Sequence, residues 1–270
     1  MSKGKGGIKY MKRFRTVELE AGKNTGRPAL RFAHLSDLHG CFYGENQEGL
    51  LEAVHLEAPD LIVVTGDMIV GSPTVNRRTF AFFKELTKDY PVFFCNGNHE
   101  TRYQTSEGFQ PVYKHFIYGL WKNGVEILNN RSEVFEKNGR KVLLSGYEAE
   151  LSYFSRFNRK VPSEEELKAK LGEKRTGMET VLLAHNPMFF PVYKKWGADL
   201  TFSGHLHGGY IRIPGIGGVI SPQFQLFPKY DRGIFEEEGH WLCVSAGLGD
   251  HTISPRFFNP AELPVVTWYG

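Results

Sequence analysis

From Leu30 onward, short apolar runs alternate with amphipathic stretches. Segments 30–36, 60–65 and 91–95 have the length and the bounding turn residues of buried strands. Between them, 46–58 and 75–88 carry apolar residues at helical spacing. Leu50, Leu51 and Val54 share one side of the first of these, and Phe80, Phe83 and Leu86 one side of the second. Strand–helix–strand alternation at this spacing predicts βαβ units and a mainly parallel sheet.

The second half has a different texture. Segments 133–137 and 141–146 flank Asn138-Gly139, a strong hairpin signal. Ser163 followed by Glu166 is a capping box and predicts a helix over 163–171. Buried strands are expected over 180–184 and 199–203, followed by 241–245 and 264–268. Late strands with Gly- and Pro-rich connections predict a second sheet packed on the first. At the start of the chain, Lys3, Lys5, Lys9, Lys12, Arg13 and Arg15 all precede the first acid, Glu18, among scattered glycines. The expectation is a flexible basic arm over 1–26, then one domain over 27–270.

Composition narrows the class. With 270 residues, 41% hydrophobic and 23% charged, the chain has ordinary globular usage, which excludes disorder and collagen-like or coiled-coil chains. A formal net charge of +3 is too small to argue for nucleic acid, so no nucleic-acid partner is expected. Cys41, Cys95 and Cys243 form no CxxC pair or disulfide framework, which favours a reducing compartment. No apolar run reaches the ~18 residues of a membrane span, and the first residues lack the apolar middle of a signal peptide. The expected location is cytoplasmic or peripheral to a membrane. The aromatic share of 14% is assigned mostly to the core, including Phe189, Phe190 and Trp196.

The chemistry lies just after the apolar runs. The first is followed by Ser36-Asp37-Leu38-His39 and the second by Gly66-Asp67; the third ends in Gly97-Asn98-His99-Glu100. Later runs lead into Ala184-His185-Asn186 and Gly204-His205-Leu206-His207-Gly208-Gly209. Five strands thus deliver oxygen or imidazole donors at one end, where open α/β sheets bind ligands. Asp37/His39 and His205/His207 are i, i+2 pairs, which an extended chain presents on one face. Two Asp, one Asn and four His exceed the needs of one tetrahedral ion. They suit two divalent ions sharing a carboxylate, the arrangement that clamps both oxygens of a phosphoryl displacement. With no Cys in the set, Mn²⁺ is the first choice and Fe or Zn²⁺ the alternatives.

These motifs, from about Leu30 to Val266, resemble those of the calcineurin-like metallophosphoesterase superfamily. LLAHNP (182–187), GHLHGG (204–209), KYDRG (229–233) and PRFFNPAELPVVT (255–267) are similar to its YkuE/YaeI-type branch of bacterial phosphodiesterases, often membrane-associated. Enzymes like UDP-2,3-diacylglucosamine pyrophosphatase belong to that branch. The resemblance implies an α/β fold, an αββα sandwich of two mixed sheets flanked by helices. It implies Asp37, His39 and His207 at a first metal, Asn98, His185 and His205 at a second, and Asp67 between them. His99 would be the catalytic residue, acting on the leaving group. Two departures stand out: Val70 replaces an acid common in GDxxD, and Glu100 stands where Asp is commoner.

The expected activity is metal-dependent phosphoester hydrolysis, of a phosphodiester or pyrophosphate on a membrane-associated or nucleotide-linked substrate. The competing reading is a metal-bound interaction scaffold of the same fold without hydrolysis. An anionic membrane surface, met through the basic arm, is the expected partner beyond the phosphoester substrate.

Overall fold

The structure is a computed structural model that describes residues 14–24, 26–71, 73–155, 158–209, 212–213, 217–221, 223–249, 256 and 258–270. The first half runs β1 (Phe14–Ala21), β2 (Leu30–Leu35), α1 (Glu48–Glu57), β3 (Leu61–Val64), α2 (Pro73–Asp89), β4 (Val92–Phe94), α3 (Asn98–Thr105), α4 (Gln110–Lys122) and β5 (Glu126–Ile127). The second half begins with the hairpin β6 (Arg131–Lys137) and β7 (Arg140–Tyr147), turning at Asn138-Gly139. It continues through α5 (Glu164–Leu171), β8 (Glu179–Ala184), α6 (Phe190–Trp196) and β9 (Leu200–Ser203). Short β10 (Arg212–Ile213) and β11 (Gly217–Gly218) pair with each other, and β12 (Gly233–Glu237), β13 (His240–Val244) and β14 (Ala261–Trp268) complete the chain.

Two six-stranded mixed sheets result, ordered β1-β14-β2-β3-β4-β5 and β12-β13-β9-β8-β7-β6. In the first, β2, β3 and β4 are parallel neighbours, as the βαβ spacing predicts, and β5 extends the series. Period-two alternation decides the layering, because each buried strand is apolar on both faces. Ala33, Leu35, Ile62, Val64 and Phe94 face α1, α2 and α4 with Leu50, Val54, Phe83 and Leu120. Their neighbours Phe32, Leu61, Val63, Phe93 and Cys95 face the second sheet and meet Val142, Leu144, Val181, Leu183, Phe202 and Cys243. The far face of that sheet, with Leu182, Ala184, Leu242 and Val244, is covered by Leu167 of α5 and Phe190, Tyr193 and Trp196 of α6. The molecule is therefore helix, sheet, sheet, helix. Phe189, Phe190 and Trp196 lie in the core, as expected.

Two expectations are corrected. Residues 14–21 fall inside the segment read as a flexible arm, yet they form β1, parallel to β14 from Phe14↔Ala261 to Ala21↔Trp268. Val17, Leu19 and Ala21 alternate with Glu18 and Glu20, a half-buried edge pattern that the basic and glycine residues obscure. Residues 1–13 of the arm lie outside the described residues. The sequence pattern groups the strand at 264–268 with the second sheet. It is the end of β14, which returns to the first sheet and runs antiparallel to β2.

Candidate metal centre

All the strand-end motifs converge at one edge of the sandwich. The loop after β2 is knitted to the loop after β3 by Asp37 N–H donating to Gly66 O at 3.0 Å and His39 N–H to Asp67 O at 3.0 Å. Ser36 O and Asp37 O accept from Leu248 and Gly249 after β13, while Gly204 N–H after β9 donates to His185 O at 3.0 Å. Seven of the candidate residues then fall into three overlapping groups whose donor atoms lie within 4.8 Å of one another: Asp37/His39/His207, His39/Asp67/His99 and Asp67/His185/His205.

The closest pair in two of these groups has the spacing of donors to a shared ion. His207 Nε2 lies 3.3 Å from Asp37 Oδ1, and His185 Nε2 lies 3.3 Å from Asp67 Oδ2. His39 Nε2 is 3.8 Å from both Asp37 Oδ1 and Asp67 Oδ2. Two donors each ~2.1 Å from one metal ion stand about 3.0–3.4 Å apart at ordinary coordination angles. A further observation favours a fit. Asn98 Oδ1, His185 Nε2 and His205 Nε2 are buried without a hydrogen-bond partner among the described residues. Buried polar atoms are almost always satisfied, so these orphans, two of them on the neighbouring rings of His185 and His205, call for an electrophile. The donor set of imidazole, carboxylate and amide oxygen fits a divalent ion of the Mn²⁺, Fe or Zn²⁺ type. The three cysteines take no part.

The i, i+2 pairs do not meet through extended chain. Asp37, His39, Asp67, His205 and His207 are not extended; their φ angles are 54°, 45°, 54°, 67° and 50°. The i, i+2 partners come together through left-handed backbone at both positions of each pair. For residues with a Cβ this costs about 1–2 kcal/mol apiece, and such strain gathers at functional sites. Gly66 takes the same turn at φ +89°, where a Cβ would stand 1.9 Å from Gly97 N. No other residue type fits there.

Electrostatics follow from burial against opposite charge. Burial alone would raise Asp37, but the His207 and His185 imidazoles outweigh it and hold its carboxyl well below the carboxylate range. Asp67 behaves likewise under His185 and His99, and its Oδ1 accepts the His99 N–H at the start of α3 at 2.8 Å. Burial pushes His39 down to about 3, with His207 and His99 adding to the effect. Burial also pushes His205 well below the usual imidazole value. His185 goes the other way, to about 9: burial opposes the shift, but Asp67 and Asp37 prevail. His99 is the open member, with its side chain 23% exposed and Nε2 4.0 Å from Asp67 Oδ2.

Around these residues lies a supporting layer that sequence reading missed. His34 Nε2 meets Thr65 Oγ1 at 2.8 Å, Thr65 donates to Ser36 Oγ at 2.8 Å, and Ser36 donates to Asp37 Oδ2 at 2.6 Å. All four residues are fully buried. Glu100, noted only as a departure, is buried beneath the β3 loop and accepts the N–H groups of Asp67 (2.7 Å), Met68 (2.8 Å) and Gly97 (3.1 Å). Burial and the Asp67 charge push its carboxyl up to about 7. Val70 needs no acid of its own, because Asn76 bonds both its N–H and its carbonyl. Near the end of the chain, Arg256 Nη2 lies 3.2 Å from His207 Nδ1, and Asn259 donates to His207 O.

Comparison with known proteins agrees with this geometry. The family profile described as calcineurin-like phosphoesterase matches residues 30–209. The uncharacterized metallophosphoesterase YkuE of Bacillus subtilis is 26% identical over 242 residues, covering 87% of this chain and 76% of its own. Phosphodiesterase YaeI of Escherichia coli is 27% identical, covering 62% of this chain and 55% of its own. UDP-2,3-diacylglucosamine pyrophosphatase LpxG of Chlamydia muridarum is 23% identical, covering 88% and 83%. No helix among the described residues is long and apolar enough to cross a membrane.

Proposed function

The chain belongs to the calcineurin-like phosphoesterase family, and on that premise we propose that it hydrolyses a phosphodiester or pyrophosphate on a membrane-associated or nucleotide-linked substrate. The observation that carries this reading is Asp67, grouped with His39 on one side and with His185 and His205 on the other, whose Nε2 atoms are orphaned among the described residues. Asp37, His39 and His207 would hold one divalent ion, Asn98, His185 and His205 the other, with Asp67 touching both. When bound, such ions neutralise phosphate charge and bring the ionisation of water near neutral pH.

The protein's own residues do the rest. The His34–Thr65–Ser36 chain holds the Asp37 carboxylate in one orientation, and Glu100 fixes the backbone that presents Asp67. His185 Nδ1 bonds Thr65 O at 2.6 Å, which leaves its Nε2 turned to Asp67. His99, at the exposed edge, would hand a proton to the departing oxygen. The names of YaeI and LpxG support phosphodiesters and pyrophosphates as the first substrates to try.

The test is turnover with Mn²⁺ on phosphomonoesters, nucleotides, lipid diesters and nucleoside diphosphate-linked lipids, before and after chelation. Chelator-sensitive cleavage of a diester or pyrophosphate is expected, and His99→Ala should lower kcat by about 10²–10⁴-fold with metal content unchanged. Metal loss in that variant would make His99 a ligand. No turnover on any substrate of the panel would favour the scaffold reading.

A further inference from the structure

Beside the metal centre, on the side of β10 and β11, the surface holds an open cavity of about 860 Å³. Arg212, Lys229 and Arg232 line it together with Ile213, Phe227 and Phe258. It shares a wall with the His205-Leu206-His207 loop. Arg212 donates to Gly208 O at 3.1 Å, and Asn259, next to Phe258, donates to His207 O and to Gly209 O at 3.0 Å.

Two features of this cavity have no use within the chain itself. The first is a guanidinium nitrogen left over after the ion pairs form. Arg212 pairs with Asp231 at 2.7 Å and Lys229 with Glu237, but Arg232 reaches Glu262 only at 3.9 Å, and its Nη1 is buried without an acceptor among the described residues. Burial, with the Arg212 and Arg15 charges nearby, pushes Arg232 below the ordinary guanidinium value against the pull of Glu262 and Asp231. A buried guanidinium nitrogen without a partner calls for an anion. The second is exposed apolar surface. Phe227 is 57% exposed, Leu226 63% and Phe258 77%. The two phenylalanines are held at φ 47° and 52°, which bulky side chains seldom adopt. A free phosphate would use the cations and leave the rings without purpose. Cations set behind projecting apolar side chains match the boundary between lipid headgroups and acyl chains.

We propose that this cavity binds the anionic headgroup of a membrane phospholipid, with Phe227 and Phe258 entering the acyl region, so that the bilayer lies against the edge that carries the metal centre. The proposal extends the reading of a membrane-associated substrate. It is tested without turnover: a protein that bound vesicles but hydrolysed nothing would count against the hydrolase reading alone.

The experiment is sedimentation of the full-length chain with phosphatidylcholine vesicles, with and without phosphatidylglycerol. Binding is expected only with phosphatidylglycerol. Arg232→Gln should weaken it about fivefold, the contribution of one cation near an anionic surface. Phe227→Ser with Phe258→Ser should weaken it about tenfold or more, from the apolar area lost. Trp121→Ser, at a 64% exposed aromatic on α4, should bind as the parent does. Phe258→Ser alone carries the test if Arg232→Gln lowers the melting temperature. Equal binding to neutral vesicles would overturn the proposal. So would binding that deletion of residues 1–13 abolishes while the cavity variants leave it intact. Inorganic phosphate that binds at the cavity equally well with and without the two rings, in a protein with no vesicle affinity, would reduce it to a site for free anions.

Discussion

The two sheets contribute unequal halves of the metal centre. The first supplies every oxygen donor, Asp37, Asp67 and Asn98, along with His39 and His99; the second supplies only the imidazoles His185, His205 and His207. The first-sheet donors are fixed mainly by their own neighbours, through the His34–Thr65–Ser36 chain and the Glu100 carboxylate. The second-sheet donors are fixed by reaching across. His185 Nδ1 leans on Thr65 O, and His205 N–H donates to Asp37 Oδ2 at 3.0 Å. The carboxylate half is therefore built in place, whereas the imidazole half is positioned only once the sheets have packed. Placing the centre on that seam couples metal binding to the sandwich core.

The sharpest way to break this arrangement is Gly204→Ala. A Cβ there would stand 2.0 Å from Ser36 Oγ and 2.1 Å from Asp37 Oδ2, so the two strand ends would have to part. Stability should fall by about 1–3 kcal/mol, as for other overpacked sites. Turnover should fall by about 10²-fold or more, because a displacement near 1 Å is enough for that. Urea midpoints and kcat measured together check it, and a variant with parental kcat would mean that the imidazole half does not depend on the seam.

A smaller effect is expected on the first-sheet side. Ser36→Ala removes the bond to Asp37 but leaves the sheets in contact, so metal affinity should weaken about 10–100-fold. Competition with a chromogenic chelator reads this directly. No change in affinity would show that Asp37 needs no support from Ser36.

The smallest effect at neutral pH is at His34, where the signature is a slope. Burial holds His34 neutral, with its folded value pushed down to about 3 from 6.5. Acid therefore protonates the unfolded chain first: the stability from keeping His34 neutral is fully present above pH 6.5 and is lost as pH falls from 6.5 toward 3. His34→Gln should flatten the decline of the urea midpoint over that window. Parallel curves for parent and variant would mean that His34 is not the group titrating.

Much of this was legible in the sequence, for identifiable reasons. The seven donors and His99 follow apolar runs, and Gly66-Asp67 or Gly204-His205 cannot be mistaken for strand interior. The supporting layer was hidden because His34, Ser36 and Thr65 look like ordinary polar interruptions of a strand; only the pairing of β2 with β3 sets them in line. α3 was missed because its eight residues are polar and its start coincides with the Gly97-Asn98-His99 motif. β1 was hidden by the basic residues before it, and the place of β14 by its distance in sequence from β2. The rings at Phe227 and Phe258 carried no signal, because exposure cannot be read from a phenylalanine in a loop.

The central claim, that two ions share Asp67 across the seam between the sheets, is met most directly by anomalous diffraction from crystals grown with Mn²⁺. The expected result is two peaks about 3.5–4 Å apart, with Asp67 touching both, Asp37, His39 and His207 on one and Asn98, His185 and His205 on the other. A single peak, or two peaks of which only one meets Asp67, would contradict it.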